Sequence, residues 1–284
     1  MDSLIEKANI LTEAMPYINR LAKKTVVIKY GGNAMLDETV THTILQDISI
    51  LKIVGAYPIL VHGGGPAINK ALEKLSVKSR FINGLRITDA ETMSVVQMAL
   101  TSLNKDITSA LNTLGVSAVG ICGKDANLIS VEKAPPLPDG TDLGYVGEIK
   151  KINAAFLTKL LSGDFVPVIS SIGADAEGKS FNLNADAAAS SIAAALKAEK
   201  LVYLTDVDGI KDKDGALISE ITVSEIYDLI EAGIITGGMI PKVKACIEGV
   251  GSGIKRTHII NGTVRHPILL EIFTDKGIGT MVSA

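Results

Sequence analysis

The chain has 284 residues, 47% apolar and 21% charged, with a formal net charge of −3. That is enough for one large α/β domain or two joined lobes, and the lack of any long basic run argues against nucleic acid as a partner. Cys122 and Cys246 lack metal or C-x-x-C spacing, the first residues lack the pattern of a secretion signal, and no apolar run reaches the ~18 residues of a membrane span, so a cytosolic chain with no membrane partner is expected.

Apolar residues at Ile5, Ala8, Leu11, Met15 and Ile18 recur at helical spacing and predict a helix over 4–20. TVVIKY (25–30) is a β-branched strand that ends in Gly31-Gly32. A helix is expected at about 37–54. A strand over PILVH (58–62) then ends in Gly63-Gly64-Gly65, and Pro66 opens the next helix. Residues 89–114 read as a long helix, 116–122 as a strand and KAPPLPDGTDLG as a loop. GYVGEIKKI reads as a hairpin strand leading into a helix over 153–163. FVPVIS (165–170) is a strand, SFNLN a short extended piece, and an alanine-rich helix runs from Asp186 through Ala198. LVYLT (201–205) leads into the turn-rich DVDGIKDKDG. Helices near 222–232 and 239–250 and strands at 256–260 and 278–282 complete the chain. Alternating β and α units predict a mostly parallel sheet with helices on both faces.

Residues 173–180, GADAEGKS, spell a phosphate-binding P-loop. In such a loop the lysine and serine open a helix aimed at the phosphates. Here Lys179 and Ser180 lead into the strand-like Phe181-Asn182-Leu183-Asn184, and Asp175 and Glu177 would set two negative charges against the anion. A hairpin turn with Gly178 at a positive-φ position is the expectation.

Other glycine clusters suit phosphate better. Lys29-Tyr30-Gly31-Gly32-Asn33 ends an apolar strand with a lysine, which is costly to bury without an anion. His62-Gly63-Gly64-Gly65-Pro66 feeds a helix N-terminus, which is also an anion cradle. Each cluster also fits a plain tight turn. Gly237-Gly238-Met239-Ile240-Pro241-Lys242 sets a lysine in the first turn of a helix, which argues mildly for a negative partner there. In NLNAD, Asn182, Asn184 and Asp186 alternate onto one face of an extended segment, and Asp186 also suits a helix N-cap.

IKYGGNAM, LVHGGGPAIN, GLRITDAET, NLNADAAA, LVYLTDVDGI and GGMIPKV stand in the order they take in the amino acid kinase superfamily. Within it the chain resembles the N-acetyl-L-glutamate kinases over about residues 14–284. The resemblance implies a three-layer αβα sandwich with a mostly parallel central sheet and an extra N-terminal helix. It divides the chain into helix 1–22, a substrate-binding lobe 23–184 and a nucleotide-binding lobe 185–284. The implied reaction moves the γ-phosphoryl group of ATP, with Mg2+ carried on the nucleotide, to the side-chain carboxylate of N-acetyl-L-glutamate in arginine biosynthesis. That nucleophile is already ionised near neutral pH, so no general base is needed.

Residue by residue, the resemblance implies catalytic Lys29 and Lys242, with Asp186 holding both ammonium groups. Gly64, Gly65, Arg86, Asn182 and Asn184 would bind the acceptor, Arg86 gripping its α-carboxylate in two parallel hydrogen bonds. Gly31, Gly32, Thr205, Asp206, Asp208, Gly209, Ile210, Lys211, Gly238 and Met239 would bind the nucleotide. The N-terminal helix and the tail resemble the arginine-inhibited members. This implies an arginine site at Tyr17, Arg20, His258, Glu271 and Gly277, a hexameric ring of dimers, and a PII-type signalling protein as a candidate partner. Two alternatives stay open: a carbamate or glutamate 5-kinase type of activity, and a non-catalytic arginine-sensing ring.

Overall fold

In the computed structural model residues 2–82 and 84–284 are described, and the side chains of Asp2, Ser3, Lys7, Ala8, Leu11 and Asn33 lie outside the described residues. In chain order the elements are α1 (Asp2–Leu21), β1 (Thr25–Tyr30), α2 (Glu38–Ile53), β2 (Tyr57–His62), α3 (Gly65–Lys74), β3 (Arg80–Ile82), β4 (Leu85–Ile87) and α4 (Ala90–Thr113). Next come β5 (Ala118–Cys122), β6 (Ile129–Lys133), β7 (Gly147–Ile152), α5 (Ala154–Ser162), β8 (Val166–Ser170), β9 (Ile172–Ala174), β10 (Ser180–Asn182) and α6 (Ala185–Ala195). The last are β11 (Lys200–Thr205), β12 (Glu220–Thr222), α7 (Val223–Glu231), α8 (Met239–Gly251), β13 (Arg256–Asn261), α9 (Pro267–Ile272) and β14 (Thr280–Ser283).

The middle layer is an eight-stranded sheet in the order β12-β14-β13-β11-β1-β2-β8-β5. Its neighbours run parallel except at β13–β14, which are antiparallel. The central strands are apolar runs because both of their faces are covered. On one face Val27, Ile59, Ile169, Leu201 and Ile259 pack with Ala189 and Ile192 of α6 and Val243 of α8. On the other, Ile28, Leu60, Val168, Val202 and Ile260 pack with Ile44 and Ile48 of α2, Leu111 of α4 and Ile268 of α9. Alternate residues of each strand thus feed opposite layers. This is the three-layer αβα sandwich with a mostly parallel sheet that the sequence implies.

A four-stranded sheet, β10-β9-β6-β7, and the hairpin β3–β4 stand beside this core. The P-loop spelling lies in the turn between antiparallel β9 and β10. Gly178 has φ +80°, and the Asp175 side chain accepts from the Lys179 N–H at 2.7 Å. No helix follows until Ala185, and the Lys179 ammonium rests over the Tyr145 ring at 4.6 Å. The hairpin reading of this octapeptide therefore stands.

Two details differ from expectation. Asp186 is not the N-cap of α6: Asn184 takes that place, its Oδ1 accepting from the N–H groups of Asp186 (2.7 Å) and Ala187 (3.1 Å). The tail carries an unforeseen helix, α9. Asp47, fully buried in α2, stabilises it. Its Oδ1 accepts from His266 Nδ1 at 2.7 Å, and its Oδ2 from the N–H groups of Ile268 (3.0 Å) and Leu269 (3.3 Å). Burial still pushes the Asp47 carboxyl above its ordinary pKa. No described helix is long and apolar enough to cross a membrane.

Candidate active site

Parallel strands bring their C-terminal ends to one edge of a sheet, where ligands of open α/β folds bind. Tyr30 is in register with His62, and His62 with Ser170. Lys29 stands in register with Tyr203, so Gly31-Gly32, the Gly63–Gly65 turn and Thr205-Asp206 leave the sheet at the same edge. Helices α6 and α8 start above this edge and add Asp186 and Lys242 from their first turns.

The two lysines line one cavity of about 290 Å³ with Gly31, Gly32, Asp186, Thr205 and Asp206. Lys29 Nζ lies 2.9 Å from Asp186 Oδ1, and its side chain is only 15% exposed. A lysine so enclosed is costly to bury without such a partner. Lys242 Nζ lies 3.8 Å from Asp206 Oδ1. This corrects the expectation that Asp186 holds both ammonium groups. The first turn of α8 places Lys242 on the β11 side of the cavity, beside the carboxylate that directly follows that strand.

A second cavity, of about 290 Å³, shares Lys29, Gly31, Gly32 and Asp186 with the first. Gly64, Gly65, Leu85, Arg86, Val146, Asn182 and Asn184 line it as well. Arg86 is buried and pre-positioned. Its Nη2 donates to Asn69 Oδ1 at 2.6 Å, its Nη1 donates to Ser79 Oγ, and its guanidinium lies 4.4 Å from the Phe81 ring centre. Asn182 Nδ2 is held by Thr88 Oγ1 at 3.3 Å. The turn packs closely on α4 at Gly64: a Cβ there would stand 2.6 Å from Leu100 Cδ2. A third cavity, of about 460 Å³, adjoins the first through Asp206 and is lined by Asp208, Gly209, Ile210, Lys211 and Met239. Asp208 is tied to Asn261 Nδ2 (2.9 Å) and Lys211 (3.2 Å), which hold its carboxyl below the usual range. Gly238 sits at the N-cap of α8.

A separate cavity of about 250 Å³ opens at the other end of β11 and β13. Tyr17, Arg20, His258, Glu271 and Gly277 all line it, with Lys200, Glu199 and Arg256. Lys200 Nζ lies 3.0 Å from His258 Nε2, and His258 Nδ1 lies 2.7 Å from Glu271 Oε1. Glu271 Oε2 accepts from the N–H groups of Ile278 (2.8 Å) and Gly279 (2.9 Å). Burial lowers the His258 pKa to about 4 and that of Lys200 to about 8. Burial would raise the Glu271 pKa, but its hydrogen bonds, from His258 first, keep it below the ordinary range. The Tyr17 hydroxyl donates to Asp275.

Sequence reasoning missed Asn69, Ser79, Thr88, Asn104 and Lys200. All but Lys200 are uncharged polar residues; Asn69 and Thr88 stand inside the quoted LVHGGGPAIN and GLRITDAET, but nothing in the pattern marks them as supports for Arg86 and Asn182. Lys200 opens an apolar strand, much as Lys29 closes one, and that was the available signal.

The chain matches the model of the Amino acid kinase family over residues 24–261. A Caldicellulosiruptor bescii protein named acetylglutamate kinase is 54% identical over 287 residues, spanning 99% of this chain and 98% of that protein. Among solved structures, an N-acetylglutamate synthase from Neisseria gonorrhoeae, complexed with coenzyme A and N-acetyl-glutamate, has a TM-score of 0.86 at 29% identity. The match covers 98% of this chain and 63% of the synthase chain. The same synthase complexed with coenzyme A and L-arginine gives a TM-score of 0.82 at 28% identity, over 97% of this chain and 65% of the other. A Giardia lamblia carbamate kinase shares the fold, with a TM-score of 0.65 at 21% identity over 92% and 99% of the two chains.

Proposed function

The chain belongs to the amino acid kinase family, and from that premise we propose how its residues divide the work of its reaction, the ATP-dependent phosphorylation of N-acetyl-L-glutamate on the side-chain carboxylate. A carboxylate oxygen forms a bond to the γ-phosphorus, the bond from that phosphorus to the β,γ-bridging oxygen breaks, and the electron pair leaves with ADP. The product is an acyl phosphate, an intermediate of arginine biosynthesis. The acceptor is already an anion, so the task is to bring it against a polyanion. Positioning and charge neutralisation are the tools.

Lys29 and Lys242 flank the transferring group and take up the charge that develops on it. Asp186 fixes Lys29, and Asp206 faces Lys242. Gly31, Gly32, Gly64 and Gly65 offer backbone N–H groups to phosphate and acceptor oxygens. Arg86, locked by Asn69 and Ser79, grips the α-carboxylate, while Asn182 and Asn184 orient the acceptor. The adenosine lies in the cavity of Asp208, Gly209, Ile210, Lys211 and Met239, close to Gly238, with Thr205 in the adjoining phosphate cavity. The donor set fits Mg2+ as a passenger of the nucleotide: Asp186 and Asp206 supply the oxygen type that the ion takes, but each already lies beside a lysine. Bound to the phosphates, the ion neutralises part of their charge. One observation carries this reading: two ammonium groups from distant parts of the chain line one cavity, each beside its own carboxylate. The test is a coupled ADP-release assay with N-acetylglutamate, glutamate and carbamate as acceptors. Turnover is expected with N-acetylglutamate alone, and faster turnover of either other acceptor overturns the assignment.

The cavity of Tyr17, Arg20, His258, Glu271 and Gly277 is read as an inhibitory arginine site. Carboxylates and cations face each other across it, as a ligand bearing both charges requires, and the related synthase has been solved with L-arginine. Helix α1 exposes Leu4, Ile5 and Met15 on one face, an apolar surface suited to joining dimers into a ring in the cytoplasm.

A further inference from the structure

Helix α4 covers the sheet, but two of its side chains, one turn apart, also close on the glycine turn after β2. Leu100 fills the space that glycine leaves at position 64, and Asn104 reaches the ring of His62. We propose that His62 and Asn104 are positioning residues for phosphoryl transfer, a two-member relay that aims the Gly64 N–H into the acceptor cavity. The proposal rests on the reading that the Gly64–Gly65 turn serves the reacting groups.

The hydrogen bonds admit one arrangement of protons. Asn104 Nδ2 lies 3.0 Å from His62 Nε2 and 2.9 Å from the carbonyl oxygen of Val168. A carbonyl oxygen only accepts, so the amide NH2 and not the amide oxygen must face it. The Ile121 carbonyl oxygen lies farther off, at 3.4 Å, so the other N–H of that amide goes to the nearer His62 Nε2, which accepts. The imidazole proton is therefore on Nδ1, where it donates to the carbonyl oxygen of Gly63 at 2.8 Å. His62 is fully buried, and burial lowers its pKa to about 4, so the ring is neutral at physiological pH.

A trans peptide is planar, and its carbonyl oxygen and following N–H point in opposite directions. Holding the Gly63 oxygen inward against the buried ring turns the Gly64 N–H outward, toward the cavity that Gly63, Gly64 and Gly65 line. The Gly63 N–H is pinned as well, donating to the Tyr30 oxygen at 3.0 Å. Among the described residues no protein group accepts from the Gly64 N–H. Asn104 in turn depends on Gly120 in β5, where a Cβ would strike the Asn104 amide and the Thr108 hydroxyl. A close helix–strand approach, an amide, an imidazole and a peptide plane thus form a continuous support for one donor. Preorganised donors of this kind carry much of the rate in acyl and phosphoryl transfer.

The experiment compares the full chain with His62→Leu and His62→Asn. The first removes both hydrogen bonds; the second keeps an amide N–H near the place of Nδ1. For folded His62→Leu we expect kcat to fall by ~10–10²-fold while KM for MgATP stays within about threefold, and His62→Asn to recover kcat to within about fivefold of the wild type. Wild-type kcat in a folded His62→Leu variant, or no recovery in His62→Asn, overturns the proposal. Folding of the variants is not needed for a second measurement, the 15N chemical shifts of the His62 ring in the wild-type protein. A proton on Nδ1 supports the relay, and a proton on Nε2 overturns it. The wild-type rate with N-acetylglutamate, measured alongside, reports on the reaction itself. Only the variant ratios and the tautomer report on the relay.

Discussion

Lys29 and Lys242 are separated by most of the sequence, yet both reach one cavity, while Lys179, which carries the P-loop spelling, lies over Tyr145 on a hairpin. Mutation separates these roles. Lys29→Ala and Lys242→Ala should each lower kcat by ~10²–10³-fold, the usual cost of one lost preorganised charge or donor. Lys179→Ala should leave kcat within about twofold, since it gives up only an exposed cation–π contact. Steady-state kinetics of the three variants decide, and a collapse in Lys179→Ala would move the nucleotide site to the β9–β10 turn. Lys29 was legible because a lysine at the end of an apolar strand asks for an anion. The pairing of Lys242 with Asp206 was not, since sequence order does not say which carboxylate stands nearest once two helices converge. Nor was Asn104, an unremarkable polar residue until Gly120 and Val168 close around it.

The strands and helices of the αβα layers carried clear patterns. Near-continuous apolar runs marked β1, β2, β8 and β11, and glycines marked the ends of β1 and β2. The short elements did not. β12 and α9 are held by partners far away in the chain: β12 pairs with β14, and the first turn of α9 is bonded to the buried Asp47 of α2. No local window contains those partners. Helix α1 was legible from its periodicity, and its last turns bring Tyr17 and Arg20 to the cavity of Glu271 and His258. On the arginine reading, deleting residues 2–20 should leave kcat within about threefold but abolish the rise in half-saturating N-acetylglutamate that arginine produces in the intact chain, because a ligand acts only through sites that distinguish two states. Kinetics with and without millimolar arginine, run with light scattering to follow assembly, test this. An undiminished arginine effect in the truncated chain would remove α1 from the site.

For the molecule as a whole, buried neutral histidines couple stability to pH. His62 and His258 take up a proton only near pH 4 when folded, against an ordinary value of 6.5. Between those values the unfolded chain holds more protons, so acid favours unfolding. The stability that neutral His62 contributes is fully present above pH 6.5 and is lost as the pH falls toward 4; the loss is on the order of 3 kcal/mol. His258 acts in the same direction. Urea unfolding across this range should show ΔG falling as the pH drops, with a shallower fall in His62→Asn. Parallel curves for the two proteins would show that His62 has no part in the acid limb.

Strand β11 begins with Lys200 in one cavity and ends with Thr205 in another, roughly 17 Å away at the rise of an extended chain. No amino acid can span that gap, so on the arginine reading a ligand seated at the first end acts on the second only through the protein between them. Such traffic runs both ways: by whatever factor the effector loosens the acceptor, the acceptor must loosen the effector. On that reading, a cell rich in acylated glutamate would find this chain harder to silence.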